Sequence, residues 1–476
     1  MERASGVLMH ISSLYGDFSI GSFGKEAKAF IDVISNAGFS WWQVLPFCPV
    51  DDCNSPYKSQ GAFGGNPYFV DLEILCRKGL LTETELELAK QKQPYLCEFD
   101  RLGVERIELL KTASKRVNDR EKIESYVNEH KYIEQFCRFM SLKEINAQKP
   151  WQEWTEFEPN QETLFMWKFI QYEFHTQWAE IKKYANEKGV KIIGDIPIYV
   201  SYDSADVWAN KELFQLSEDG TPTSVAGVPP DYFCENGQLW GNPLYDWEKM
   251  NEDGFLWWKE RMKHMLSMFD GVRIDHFRGI ESYWSVPYGA KTAKEGDWKK
   301  GPGMAFVNAM NSIKGDKLII AEDLGDITRE VNELVKESGF PGMRVFQFGF
   351  FGERNSPHMP HNYNEKTIVY TGTHDNNTLL GYVWELDGNN RKNMLEYCGF
   401  KGENWDTCYD NIFRMIYASN GGISIFPIQD ILGYGSDTRL NVPGRAENNW
   451  SFRTTREQLN NAPWNKFKNW NEIYAR

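Results

Sequence analysis

Three short apolar runs in this chain each end on acidic residues. They read Gly271-Val272-Arg273-Ile274-Asp275-His276, Leu318-Ile319-Ile320-Ala321-Glu322-Asp323 and Ile368-Val369-Tyr370-Thr371-Gly372-Thr373-His374-Asp375. Runs of this kind are the mark of strands buried on both faces, as in parallel sheets. On a strand, positions i and i+2 share a face, so Arg273 and Asp275 point the same way. A guanidinium beside Asp275 lowers its pKa and keeps it ionised, the state a nucleophile needs. The plainer alternative is an Arg–Asp pair that locks two strands. Glu322 closes a wholly apolar strand, where desolvation raises a carboxyl toward the range of a general acid. Its plainer alternative is a cap for a helix beginning near Ile327, a task Asp323 or Asp326 suits better. His374 and Asp375 could be metal ligands, but no His, Asp and Glu set with ligand spacing accompanies them. Asp195, in Ile193-Gly194-Asp195-Ile196-Pro197, is a fourth acid at a strand end. Acids converging at the ends of parallel strands suit glycosidic-bond cleavage at a barrel mouth.

The elements that must position these groups follow from the punctuation of the chain. Val7 to Ile11 is expected as a first strand, Lys25 to Asn36 as a helix closed by Gly38, and Trp41 to Pro46 as a second strand. The Gly/Asn/Pro/Ser-rich stretch 51–66 is too long for an ordinary connection and is a candidate functional loop. Between Leu72 and Trp154 the chain becomes helical in character. Leu102 to Asn146 carries apolar residues at helical spacing (Ile107, Leu110, Val117, Ile123, Val127, Ile133, Phe136, Met140), a stripe read as core. Thr163 to Lys188 predicts a further helix ending at Gly189, followed by a third strand over 190–199. A second long loop, 219–243, is rich in Gly, Pro and aromatic residues, and Phe255 to Met268 is expected as a helix. The separations Asp275 to Glu322 and Glu322 to Asp375 are 47 and 53 positions. At about 30 residues per βα unit, these place the three acids after strands four, five and seven. Met343 to Phe348 then supplies strand six and Gly422 to Ile428 strand eight.

The expected fold is therefore α/β, a (β/α)8 barrel that spans 1–476 as one catalytic domain. A helical insertion occupies 72–160 and a loop-rich insertion over the active site occupies 200–250, with no separate C-terminal β domain. A net charge of −14 argues against nucleic acid or an anionic membrane as partner. The eight cysteines include no Cys-x-x-Cys pair and are expected as dispersed free thiols. Without a long apolar start or an apolar run of about 20 residues, a cytoplasmic location is expected. Aromatic residues make up 15% of the chain, which suits sugar faces and a large core equally.

Together these motifs resemble the 4-α-glucanotransferases, or amylomaltases, family 77 of the glycoside hydrolases. The likeness runs through Ser55-Pro56-Tyr57, Asn66-Pro67-Tyr68, Gly194-Asp195-Ile196-Pro197, Pro229-Pro230-Asp231-Tyr232-Phe233 and Gly237-Gln238-Leu239-Trp240-Gly241-Asn242-Pro243. It continues in Arg273-Ile274-Asp275-His276-Phe277-Arg278-Gly279, Ala321-Glu322-Asp323-Leu324-Gly325, Pro360-His361-Asn362-Tyr363 and Thr371-Gly372-Thr373-His374-Asp375-Asn376. The Arg-x-Asp, Glu and His-Asp elements are shared with the wider α-amylase clan. The Pro-Pro-Asp-Tyr-Phe and Gly-Thr-His-Asp-Asn segments are more specific.

The resemblance implies Asp275 as nucleophile, Glu322 as general acid/base and Asp375 as the acid that holds the sugar's hydroxyls in a distorted form. Arg273, His374, Asp195 and Tyr57 would line the subsite under attack; Ser55, Asp231, Gln238 and Trp240 would serve the acceptor side. The implied substrates are α-1,4-glucans, maltooligosaccharides and glucose, with no cofactor and no metal. Aromatic rings at 232, 233 and 240 would shield the covalent intermediate from water. Asn377, Lys58 and Cys234 depart from the commonest family pattern without removing a catalytic group. Two rivals stay open at this point, an α-glucan hydrolase of the same clan and a glucan-binding protein without turnover.

Overall fold

In the computed structural model, residues 1–230, 235–350, 355–400 and 405–476 are described. Eight parallel strands form the central sheet. In chain order they are Ala4–Leu8, Trp41–Gln43, Lys191–Ile196, Gly271–Ile274, Leu318–Ala321, Gly342–Val345, Thr367–Tyr370 and Ile423–Pro427. Each pairs with its sequence neighbour except at the boundary between the fifth and sixth, and the eighth returns to the first through Ala4 opposite Ile423. The seam between the fifth and sixth strands is closed by the Ala321 N–H donating to the Pro341 carbonyl at 3.0 Å. Asp323 reinforces it: its carboxylate accepts from the Met343 N–H at 2.6 Å and from Arg344 at 2.9 Å. That is a different task from helix capping; the helix that follows is Arg329–Ser338, capped by Thr328. The sheet is thus an eight-stranded (β/α)8 barrel, and only helices and loops follow its eighth strand.

The strands are shorter than their apolar runs, and the first begins earlier than its hydrophobicity predicts. Ser5 and Gly6 are buried and belong to it, with the Ser5 hydroxyl donating outward to Asn471 on the C-terminal helix Trp464–Ile473, whereas Ile11–Ser13 already turns away as a 3-10 helix. Apolar periodicity undercounts a strand whose buried positions include small or polar residues. The first long helix, Lys25–Asn36, falls where expected, and Gly38 takes the left-handed φ of 81° that ends it.

The stretch between the second and third strands is helical. Its main helices are Leu72–Arg77, Glu83–Leu88, Ile107–Lys115, Arg120–Asn128 and Lys131–Ile145. Asp119 caps the fourth of these by accepting the Lys122 N–H, which breaks the continuous apolar stripe into separate rods. They pack on a 27-residue helix, Gln161–Glu187, which buries Phe165, Phe169, Phe174 and Trp178 between the insertion and the barrel. Trp178 meets Phe47 edge-to-face with centroids 4.7 Å apart, one contact in an aromatic core that ties this long helix to the barrel.

The stretch read as a loop over 219–243 holds regular structure. Ser224–Val228 and Gln238–Pro243 pair antiparallel, and the first also pairs with Ser282–Pro287, which pairs with Asp297–Lys300. Gly, Pro and ring-rich composition resembles a loop because the stabilising partner lies some 60 positions downstream, beyond local pattern. The hairpin 282–300 is also the insertion that lengthens the connection between the fourth and fifth barrel strands. Among the described residues no helix is long and apolar enough to cross a membrane, and the seven described cysteines are free.

Candidate active site

Strand register does the first part of the assembly. Asp195 on the third strand sits opposite Arg273 on the fourth, and Ile274 sits opposite Ala321 on the fifth. The next residues, Asp275 and Glu322, therefore emerge side by side at the carboxyl ends. Backbone bonds continue the ladder past the strands: the Glu322 N–H donates to Ile274 and the Phe277 N–H to Glu322, both at 3.1 Å. His276 has a left-handed φ of 50°, a conformation that costs a non-glycine residue about 1–3 kcal/mol. That turn aims its N–H at Glu322 Oε2, 2.6 Å away, while the Leu324 N–H donates to Oε1 at 2.8 Å. Both oxygens of Glu322 are thereby oriented by backbone.

Arg273 is buried and joins the acids. Its two Nη groups donate to Asp275 Oδ1 at 2.8 and 2.7 Å, and its Nε lies 3.4 Å from Asp195 Oδ2. The Tyr57 hydroxyl, from the loop after the second strand, donates to the same Asp195 oxygen at 2.6 Å. His374 Nε2 lies 3.4 Å from Asp375 Oδ1. Asp375 is further held by the Asn441 side-chain amide on Oδ1 and by Arg439 on its carbonyl, both at 2.6 Å.

Burial pushes the Asp275 carboxyl well above its ordinary range and raises Glu322 as well; Arg273 opposes the rise in both, while Glu322 adds to it at Asp275 and Asp323 adds to it at Glu322. Acids coupled in this way titrate as a pair rather than singly. Asp275 takes two bonds from a charged guanidinium, while Glu322 takes its bonds from neutral amides. Burial likewise raises Asp195 and Tyr57, and it lowers His374, which is held neutral.

A cleft of about 500 Å³ opens above these groups, and Ser55, Tyr57, Gln238, Trp240, Asp275, His374 and Asp375 line it. Ser55 accepts the Tyr57 N–H at 3.3 Å. On the far wall, Trp240 donates its indole N–H to Gln238 at 3.1 Å and sets its ring edge-on to His276, with centroids 4.9 Å apart. Asp231, Tyr232, Phe233 and Cys234 lie outside the described residues. Among the described residues, no group of three or more His, Cys, Asp and Glu side chains could hold a metal ion.

Three contributors escaped the sequence reading: Arg439, Asn441 and Trp450, all from the loop after the eighth strand. Trp450 leans on both Tyr57 and His374, at 5.8 Å from each. Their only sequence signal is position, since loops at the carboxyl end of a barrel strand are where such sites gather.

An eight-stranded barrel with paired carboxyls at its carboxyl-terminal mouth and an aromatic-walled cleft defines a carbohydrate-active barrel enzyme. The chain belongs to the 4-alpha-glucanotransferase family, glycoside hydrolase family 77, whose sequence model matches residues 9–459. It is 41% identical to a 4-alpha-glucanotransferase of Clostridium butyricum, over 98% of this chain and all of that protein. A 4-alpha-glucanotransferase of Streptococcus pneumoniae is 40% identical over all of this chain and 98% of its own. Among solved structures, an amylomaltase from Streptococcus agalactiae in complex with acarbose superposes with a TM-score of 0.95, at 36% identity and full coverage of both chains.

Proposed function

We propose that this chain transfers segments of α-1,4-glucans to the 4-hydroxyl of glucose or a maltooligosaccharide, with Asp275 as nucleophile and Glu322 as general acid/base. The observation that carries the reading is the side-by-side emergence of these two carboxyls, with Glu322 aimed by the His276 N–H. Glu322 gives its proton to the glycosidic oxygen as Asp275 attacks the anomeric carbon from the opposite face. The leaving glucan departs with a free 4-hydroxyl, and a glycosyl–Asp275 ester remains. The acceptor's 4-hydroxyl then attacks the same carbon, Glu322 takes its proton, and Asp275 leaves as carboxylate. Two inversions give net retention.

Asp375 and His374 hold the hydroxyls of the sugar under attack; Arg273, Asp195 and Tyr57 keep Asp275 oriented. Ser55, Gln238 and Trp240 form the acceptor side, with Asp231 assigned there by motif. The 200–250 segment shields the ester so that an acceptor, rather than water, reaches it. The unpaired thiols and acidic surface suit a cytoplasmic enzyme, which fractionation would test.

The deciding experiment is incubation with maltotriose, with products resolved over time. Glucose plus a ladder of longer maltooligosaccharides is expected from the intact chain and from no Asp275→Asn preparation. Glucose and maltose without longer products would make the chain a hydrolase and remove the shielding role of the 200–250 segment.

A further inference from the structure

We propose that Asp430 is a positioning residue that fixes the seventh-strand loop, residues 371–379, in the conformation that presents His374 and Asp375 to the sugar. Asp430 follows the eighth strand by three residues and is 1% exposed. Its Oδ2 accepts the Thr371 hydroxyl at 2.6 Å and its Oδ1 accepts the Leu379 N–H at 2.7 Å. Thr371 is the first residue past the seventh strand, and Leu379 is the first residue of the helix Leu379–Glu385. One carboxyl therefore closes the loop at both ends.

Packing does not seat this loop by itself. Beneath it lies a cavity of about 20 Å³, bounded by His10, His374, Asn377 and Asp430 among others, which is space on the scale of one water. Hydrogen bonds take over that task. Within the loop, Asn376 Oδ1 accepts both the N–H and the hydroxyl of Thr373 at 2.9 Å, and the Gln347 amide donates to the Asn377 carbonyl at 2.8 Å. Asp430 supplies what none of these can, two acceptor oxygens facing two donors eight residues apart in sequence. Burial raises its carboxyl to about 7, opposed only by those two hydrogen bonds. A buried acid without a counter-charge is a poor way to gain stability; a defined loop geometry is what it provides.

The inference rests on the proposed roles of His374 and Asp375, so its test includes Asp375→Asn. Initial maltotriose rates would be measured for Asp430→Asn, Asp430→Val and Thr371→Val, each first shown to be folded by circular dichroism. Asp430→Asn is expected within about threefold of wild type, because the Thr371 hydroxyl can turn to accept from the new amide. Asp430→Val should lose kcat by about 30- to 100-fold, the effect of a small misplacement of substrate-holding groups. KM should stay within about threefold. Thr371→Val, which deletes one hydroxyl, should lose about tenfold in kcat and carries the test if Asp430→Val does not fold. Folded valine variants with wild-type kcat, or with only KM changed, beside an inactive Asp375→Asn, would overturn the assignment. A fully active Asp375→Asn would instead overturn the reading of the site on which it rests.

Discussion

Tyr57 and His374 lie ring on ring, with centroids 5.1 Å apart and planes within 12° of parallel. One comes from the loop after the second strand and the other from the loop after the seventh. The stack fixes the direction of the Tyr57 hydroxyl, which donates to Asp195, which faces Arg273, which holds Asp275. A ring contact between distant segments is thus linked to the proposed nucleophile through three polar contacts.

Removing only the hydroxyl should expose that linkage. Tyr57→Phe keeps the stack but takes from Asp195 a donor to a buried carboxylate. Hydrogen bonds to charged groups contribute about 1.5–3 kcal/mol, so kcat/KM on maltotriose should fall by up to about 10- to 100-fold, with a modest drop in melting temperature. Tyr57→Ala should cost more, since His374 then loses its ring partner. A fully active Phe variant would show that the path through Asp195 carries no catalytic weight.

The acidic limb of the rate profile should respond to Arg273. Burial and the neighbouring carboxylates raise the Asp275 pKa, and Arg273 is the group that opposes them. Asp275 must be ionised to attack, so activity is lost as pH falls through its pKa. Arg273→Gln removes the opposing charge, which typically lowers a neighbouring carboxyl by about 1–3 units. The acidic limb of kcat/KM should therefore move to higher pH by about one unit or more, with a larger loss at pH 5.5 than at pH 8. A profile scaled down uniformly at all pH values would contradict the assigned charge coupling.

The barrel seam gives a stability prediction next to the site. Asp323 is 3% exposed and bonds both Met343 and Arg344 across the fifth–sixth strand boundary. Asp323→Ala leaves Arg344 without its carboxylate and should lower unfolding free energy by about 3–5 kcal/mol, read by urea denaturation. Gly342→Ala should act on the same seam, since a Cβ there would stand 2.5 Å from Asp323 Oδ2. If both variants unfold at the wild-type urea midpoint, closure does not depend on Asp323.

Much of this was legible in the chain by itself. Parallel strands covered on both faces must be apolar, and their polar ends must lie at the mouth, so Asp275, Glu322 and Asp375 marked the ends of strands four, five and seven by local pattern. The helical character of 102–146 and the helix ends at Gly38 and Gly189 were readable for the same reason: the physics that sets them acts within a few residues. The boundaries of the first strand were not, because small buried residues such as Ser5 and Gly6 leave no hydrophobic trace.

What only the tertiary structure decided are relations between segments far apart in sequence. Register placed Asp195 opposite Arg273, and a single residue's shift would have turned both away from each other. The 224–243 hairpin became a sheet because Ser282–Pro287 pairs with it. Asn441 and Trp450 reached His374 and Asp375, and Asp430 reached Thr371 and Leu379, because barrel closure brings the seventh and eighth strands together. The chain's local pattern marked the barrel strands, the long helices and the strand-end acids; closure of the barrel decided which acids meet, since that depends on distance in space, which is not written in a local stretch of sequence.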